Sequence, residues 1–258
     1  MGWRVADFSH LAKFNSDTSA KLLDQYEDFV DRQYRIERAR TSSRTFAPSS
    51  FRCPRKSWFR LRGVAKDTTS RVDKVLEFAA EIGTARHAVI QQNLNTLLKD
   101  DWLSVTEFLQ AHPIPYEYST EENGLETKIS IVFPPVTFAC DGIIRFNNKI
   151  YLLEIKTCDR ASWEKLTCPK DVHIDQIKCY STLLGISDVI FIYEDRQYGE
   201  HKVFEIHIAE FEQDDVLQQM NDIMQAVEDH LAPDKVSGAW SDYICTNCEY
   251  LKVCHEWG

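Results

Sequence analysis

The chain lacks any apolar run approaching the roughly 20 residues that a membrane-spanning helix needs, and its mean hydropathy is −0.37. It has no internal repeat and no low-complexity tract, which argues against a solenoid or an extended linker. Its N-terminus lacks the charged, then apolar, then small-residue order of a secretory signal. Ala6 stands where a myristoylation motif after Met1-Gly2 requires Ser or Thr. These absences lead to the expectation of a soluble cytoplasmic protein with no membrane partner. Positive charge is also scarce: the net charge is −10, which speaks against general affinity for nucleic acid. What the 258 residues do contain is 43% hydrophobic and 12% aromatic side chains, enough for one large domain or a domain with an extension. Residues 1–50 read as an N-terminal helical extension and residues 51–258 as the main domain.

Hydrophobic periodicity places a helix over Ala20–Arg40, on a stripe of Leu22, Leu23, Tyr26, Phe29, Val30 and Tyr34. A Ser/Thr-rich loop follows over Thr41–Ser50, and a second helix over Arg71–Leu98, with Gly83 as a candidate break. Asp100–Pro115 mixes helix and loop signals. Strands are expected at Tyr116–Tyr118, Lys128–Phe133, Val136–Phe146 and Lys149–Thr157, with Pro134-Pro135 separating the second from the third. A helix over His173–Leu184 stops at Gly185. Strands at Asp188–Tyr193 and Lys202–Ile208 precede a long amphipathic helix, Phe211–Leu231, that Pro233 ends. The fold class is α/β, a mixed or mostly antiparallel sheet flanked by helices.

The most informative chemistry lies in one hairpin. Asn147-Asn148 suits a two-residue turn, because Asn tolerates the left-handed conformation such a turn requires. Closing the hairpin there pairs Phe146 with Lys149 and sets Asp141 opposite Glu154, Cβ atoms roughly 4.5–5.5 Å apart. Lys156, two residues beyond Glu154, shares its face. The flanking Ile143, Ile144, Leu152, Leu153 and Ile155 make both strands read as buried. Two facing acids repel unless a proton or cation joins them, and an oxygen-lined pocket suits Mg²⁺ or Mn²⁺. Lys156 is placed to steady a water nucleophile or developing negative charge. On the preceding helix, His87 shares a face with Ile90, Gln91 and Leu94, where a histidine alone is more often a packing residue. Gln176 and Tyr180 are spaced i, i+4 on the helix after the Glu154 strand, with His173 on the same side.

Eight cysteines are present, and three of them form Cys245-x2-Cys248-x5-Cys254 near the end of the sequence, beside Tyr243, Tyr250 and Trp257. C-x2-C brings two sulfurs to one metal centre, and Cys254 is a third donor. Cys53, set between Arg52 and Pro54-Arg55, is the preferred fourth, with Cys168 as its competitor; Cys140, Cys158 and Cys179 read as core packing. The spacing leaves zinc and an iron–sulfur cluster both open, with the one-plus-three split leaning toward the latter. From Arg32 to Arg62, ten basic residues face Glu37 alone, interleaved with Tyr34, Phe46, Phe51, Trp58 and Phe59. That mixture fits a single-strand binding surface, with Arg52, Arg55, Lys56 and Arg60 as phosphate contacts; it fits equally an arginine-rich helix followed by a core-packing segment.

In order along the chain, Gly83-x3-His87, Asp141, Glu154-x-Lys156 and Gln176-x3-Tyr180 resemble the RecB-type branch of the PD-(D/E)XK nucleases. Cys53 before them and the three C-terminal cysteines after them resemble its iron–sulfur subgroup, which includes a CRISPR-associated exonuclease and its phage-encoded relatives. The resemblance covers about Cys53 to Cys254. It implies a restriction-endonuclease-like core, a 4Fe-4S cluster held by Cys53, Cys245, Cys248 and Cys254, and a metal-dependent DNA exonuclease acting on single strands or ends. It further implies metal ligation by His87, Asp141, Glu154 and the Ile155 carbonyl, catalysis by Lys156, and positioning by Gln176 and Tyr180. Recombination or CRISPR-adaptation proteins, hence antiviral defence, are the partners and setting it suggests. Cys140 stands where the superfamily name has Pro. A non-cleaving assembly module that docks an integrase or recombinase, and a zinc-bearing DNA-binding protein, are the competing readings.

Overall fold

The structure, a computed structural model, describes residues 17–39, 44–67, 74–238, 244–246 and 248–257. Residues 1–16 of the expected extension, the starts of the expected loop and second helix at 41–43 and 71–73, Arg40 and Tyr243 lie outside the described residues, as do the side chains of Glu37 and Arg38. Eight helices are described: α1 (Asp17–Ala39), α2 (Pro54–Arg62), α3 (Lys74–Leu98), α4 (Val105–Ala111), α5 (Arg160–Lys165), α6 (Asp171–Leu184), α7 (Glu210–Glu228) and α8 (Leu251–Glu256). The strands are β1 (Trp102–Leu103), β2 (Tyr118–Asn123), β3 (Glu126–Ile131), β4 (Val136–Cys140), β5 (Gly142–Phe146), β6 (Lys149–Cys158), β7 (Asp188–Asp195) and β8 (His201–His207). No described helix is long and apolar enough to cross a membrane.

The strands form two sheets. One is five-stranded, in the order β1-β5-β6-β7-β8, and the other is an antiparallel meander, β2-β3-β4. Among the described strands β6 and β7 alone run parallel; the others pair antiparallel. A parallel pair needs a crossover, and α5 and α6 supply it. Helix α3 covers one face of the larger sheet, where Ile90 and Leu94 meet Ile144, Tyr151, Leu153 and Ile155. On the other face, Leu152, Val189 and Phe191 share a core with Ile177 and Leu183 of α6 and Val216, Met220 and Ile223 of α7. The result is a mixed sheet between helical layers, as the strand and helix periodicities imply.

Two expectations need correction. Val136–Phe146 is not one strand: it ends at Cys140, and after Asp141 the chain enters the other sheet as β5. The next residue shows what allows the transfer. A Cβ on Gly142 would lie 2.8 Å from Cη2 of Trp102, so only glycine lets β1 close over the start of β5. Gly83 does not break α3, which runs through it unbroken. There an added Cβ would stand at ordinary contact distance, 3.4 Å, from the Thr157 hydroxyl on β6.

Candidate functional site

The hairpin forms as the turn residues require. Asn147 and Asn148 adopt φ of 49° and 63°, and the ladder runs from Phe146↔Lys149 to Gly142↔Leu153. Asp141 and Glu154 are the next residues beyond that last pair. Asp141 Oδ2 accepts the Ile155 N–H at 2.7 Å, and its carbonyl accepts Gln91 Nε2 at 2.7 Å. Its Oδ1 lies 3.5 Å from His87 Nδ1. Glu154 is buried and ion-paired with Lys156. Lys156 Nζ also donates to Gln176 Oε1 at 3.4 Å, and Gln176 Nε2 donates to the Tyr180 hydroxyl at 2.7 Å. Tyr180 stacks on Phe138 with ring centroids 4.6 Å apart. Two contact groups result, His87–Asp141–Ile155 N–H and Glu154–Lys156–Gln176–Tyr180, drawn from α3, the β4–β5 junction, β6 and α6 and joined through the Glu154-Ile155 peptide.

Burial raises the Glu154 carboxyl above its usual range; the Lys156 ammonium opposes that and Asp141 reinforces it. Burial works against the charge on Lys156, but Glu154 and Asp141 outweigh it and hold the amine above its ordinary value. The Tyr180 hydroxyl is raised by burial and then by Glu154. Glu126, which the sequence reading missed, belongs to the same field: burial, then Asp141, raises its carboxyl, while His87 and Lys156 lower it. Thr127 pairs with Cys140, so Glu126 lies across from Asp141 at the point where the two sheets part. The Thr127↔Cys140 register was the signal that could have found it. Another missed residue is Arg86, whose guanidinium grips Glu194 of β7 through two bonds of 2.7 Å and so fixes α3, with His87, against the sheet. Among the described residues no three His, Cys, Asp or Glu side chains converge closely enough to hold a metal ion. Asp141, Glu154 and His87 nonetheless offer the oxygen and imidazole donors that suit Mg²⁺ or Mn²⁺, with Asp141 Oδ1 3.5 Å from His87 Nδ1.

His173 gives a pH prediction. Its Nδ1 lies 2.6 Å from the Tyr193 hydroxyl; burial, then Lys156 and Lys170, push its imidazole down to about 3. The unfolded imidazole protonates near pH 6.5. Its contribution to stability is therefore complete above about pH 6.5 and is lost as the pH falls toward about 3. Acid denaturation curves should show a loss on the order of 1–2 kcal/mol by about pH 5 that His173→Gln flattens. An acid slope unchanged in the variant excludes the assignment.

A second site lies at the other end of the chain. A cavity of about 400 Å³ is lined by Cys53, Cys245, Cys248 and Cys254 together with Arg55, Lys56, Phe59 and Tyr250. Cys53 caps α2, its Sγ accepting the Lys56 N–H at 3.4 Å. Burial raises the Cys53 thiol and pushes Cys248 up to about 11. Cys168, the competitor for the fourth position, is exposed and lines a separate cavity with Arg52 and Lys170. Cys140, Cys158 and Cys179 are buried.

The basic and aromatic window differs from the expected phosphate-binding surface. Arg55 is buried and donates to the Pro233 carbonyl at 2.8 Å and to the Trp257 carbonyl. Arg52 pairs with Asp175 at 2.9 Å, Lys56 with Glu249 at 2.8 Å, and Arg60 donates to the Thr45 carbonyl at 3.2 Å. Phe46, Phe51, Trp58 and Phe59 are core residues. Arg55 and Lys56 are met by acceptors far along the chain and brace α2 against the C-terminal segment.

No family model and no curated protein matches the sequence. Among solved structures, the chain is similar to the crystal structure of SSO0001, with a TM-score of 0.50 and 15% identity over 89% of this chain and 96% of that one. It also aligns with an alkaline exonuclease, LHK-Exo, from Laribacter hongkongensis, at a TM-score of 0.44 and 13% identity over 76% of this chain and 93% of that one. The same exonuclease in complex with dAMP gives 0.43 and 13% over 77% and 93%. The likeness to SSO0001 is one of fold: a mixed α/β architecture shared across nearly the whole of both chains.

Proposed function

We propose that the chain is a divalent-metal-dependent deoxyribonuclease of the PD-(D/E)XK type, an exonuclease of single strands or DNA ends. The observation that carries the reading is the pair of contact groups at the end of the β5–β6 hairpin, an imidazole on Asp141 and a lysine on Glu154, whose carboxylates stand on adjacent strands where the sheets diverge. Asp141, Glu154 and His87, with the Ile155 carbonyl, would hold Mg²⁺ or Mn²⁺. A bound ion would supply Lewis acidity at the scissile phosphate and a more acidic water. Lys156 stands beside Glu154 to orient the attacking water and to offset charge that grows on the phosphate oxygens. Water adds to phosphorus, one P–O ester bond breaks, and the departing oxygen takes up a proton. Gln176 and Tyr180 fix the direction of the lysine from behind.

Four thiols lining one cavity fit the donor set of a 4Fe-4S cluster, with Cys53, Cys245, Cys248 and Cys254 as its ligands. Such a cluster would tie the start of α2 to the end of the chain. The nuclease reading is tested by incubating end-labelled single- and double-stranded DNA with Mn²⁺, Mg²⁺ or chelator. Metal-dependent shortening of the labelled strand is expected. Failure to produce fragments with either ion favours the assembly module, a chain that docks a recombination or integration partner without cutting.

A further inference from the structure

Asp141 sits where two ladders stop. Thr127↔Cys140 is the last pair of β3 and β4, and Gly142↔Leu153 closes the ladder of β5 and β6. The residue between them has no partner in either ladder, yet it is buried. A buried carbonyl needs a donor, because leaving water without one is costly. Gln91 of α3 supplies it, its Nε2 donating to the Asp141 carbonyl at 2.7 Å. Gln91 is itself only 4% exposed. It follows Ile90, which packs among Ile144, Leu153 and Ile155 of the sheet. An amide buried beside such neighbours is tolerated because it is bonded.

The same helix meets Asp141 twice. His87 and Gln91 are four residues apart and lie one above the other on α3. His87 Nδ1 stands 3.5 Å from Asp141 Oδ1, while Gln91 holds the main chain. From β6, the Ile155 N–H takes Oδ2 at 2.7 Å. The carboxylate is thus fixed at one oxygen and the backbone at the carbonyl, which leaves Oδ1 toward the imidazole. We propose, on the metal-site reading of Asp141 and His87, that Gln91 is a positioning residue. It sets the main chain at position 141 so that Asp141 presents Oδ1 beside His87 to a divalent cation. Gln91 acts through Asp141 and is not itself a ligand.

Mn²⁺ affinity, read from the electron paramagnetic resonance signal of the free ion, tests this without any cleavage. Each protein is measured at a temperature where circular dichroism shows it folded, and Asp141→Asn sets the background from other acids. Gln91→Met keeps the side-chain length and removes the donor. It should bind Mn²⁺ roughly 10–100-fold more weakly, the scale of losing an outer partner of a metal ligand. Should Gln91→Met not fold, Gln91→Asn, which keeps an amide but shortens its reach, carries the same expectation. Gln219→Met is the control. Its amide makes the same kind of bond, to the Phe51 carbonyl at 2.7 Å, between α7 and the segment before α2. That variant should lower the melting temperature and leave Mn²⁺ affinity unchanged. Equal affinity in the Gln91 variant and the unaltered protein would reduce Gln91 to a partner for a buried carbonyl and overturn the proposal. An equal weakening in Gln219→Met would overturn it too, by marking a general loss of stability. No Mn²⁺ binding by the unaltered chain defeats the metal site itself, and the role of Gln91 with it, a result distinct from the other two.

Discussion

Replacing Glu154 or Lys156 with alanine should lower the proposed metal-dependent strand cleavage by about a thousandfold, the scale of losing a preorganised electrostatic contact in a dry site. The measurement is the initial rate of end-labelled strand degradation, normalised to the folded fraction at the assay temperature. Normalisation matters because the two side chains also form a buried ion pair. Removing one partner leaves the other charge uncompensated, a cost of roughly 3–5 kcal/mol in typical buried pairs. A purely structural pair therefore predicts a lowered melting temperature with full activity per folded molecule. A catalytic pair predicts the loss of activity even where folding is restored. The double variant Glu154→Gln, Lys156→Met separates the two. It removes both charges at similar volume, so it should recover much of the stability and none of the cleavage. Undiminished activity per folded molecule in either single variant would end the proposal that this site cuts DNA.

The hairpin register was legible because two adjacent asparagines specify its turn, and a turn fixes every pair that follows. The strand break at Asp141 was not. Val136–Phe146 reads as one apolar run, and the contact that Gly142 makes room for, the Trp102 ring, comes some forty residues earlier in the chain. Glu126 escaped notice for the same reason, since it reaches Asp141 only once β3 and β4 are known to end together. Of the two readings the basic window allowed, the core-packing one describes its aromatic residues and Arg55. Arg55 looks like a phosphate contact in isolation, yet its acceptors lie 178 and 202 residues away, and no local pattern reports a carbonyl at that distance. Asp141, Glu154 and Lys156 could be set on one face from period and turn chemistry, whereas His87, Gln176 and Tyr180 were singled out only through the resemblance. What was hidden depends on contacts between elements.

If the proposed cluster is present, substituting Cys53 or Cys254 by alanine should cost the protein both that cluster and a large part of its stability. The four cysteines line one cavity although Cys53 stands about 190 residues before Cys245. Closing a span of that length constrains the unfolded chain by about 5 kcal/mol, on the loop-entropy argument for covalent links. That approaches the total stability of many domains. The fold has a second restraint at the same place. Arg55 holds the Trp257 carbonyl, Lys56 pairs with Glu249, Phe59 stacks on Tyr250 at 5.5 Å, and Trp58 meets Trp257 edge-on at 5.3 Å. The variant should therefore lose iron and brown colour, when purified without oxygen, and melt at a much lower temperature. It should not unfold outright, because the brace persists. Adding Arg55→Ala to Cys53→Ala should then release the C-terminal segment, read as faster proteolysis there than in either single variant. Metal analysis decides the chemistry of the centre: four irons and visible absorption support the cluster, whereas one colourless zinc replaces it. A Cys53→Ala protein with full iron content and unchanged melting would remove Cys53 from the ligand set and, with it, the link between α2 and the chain's far end.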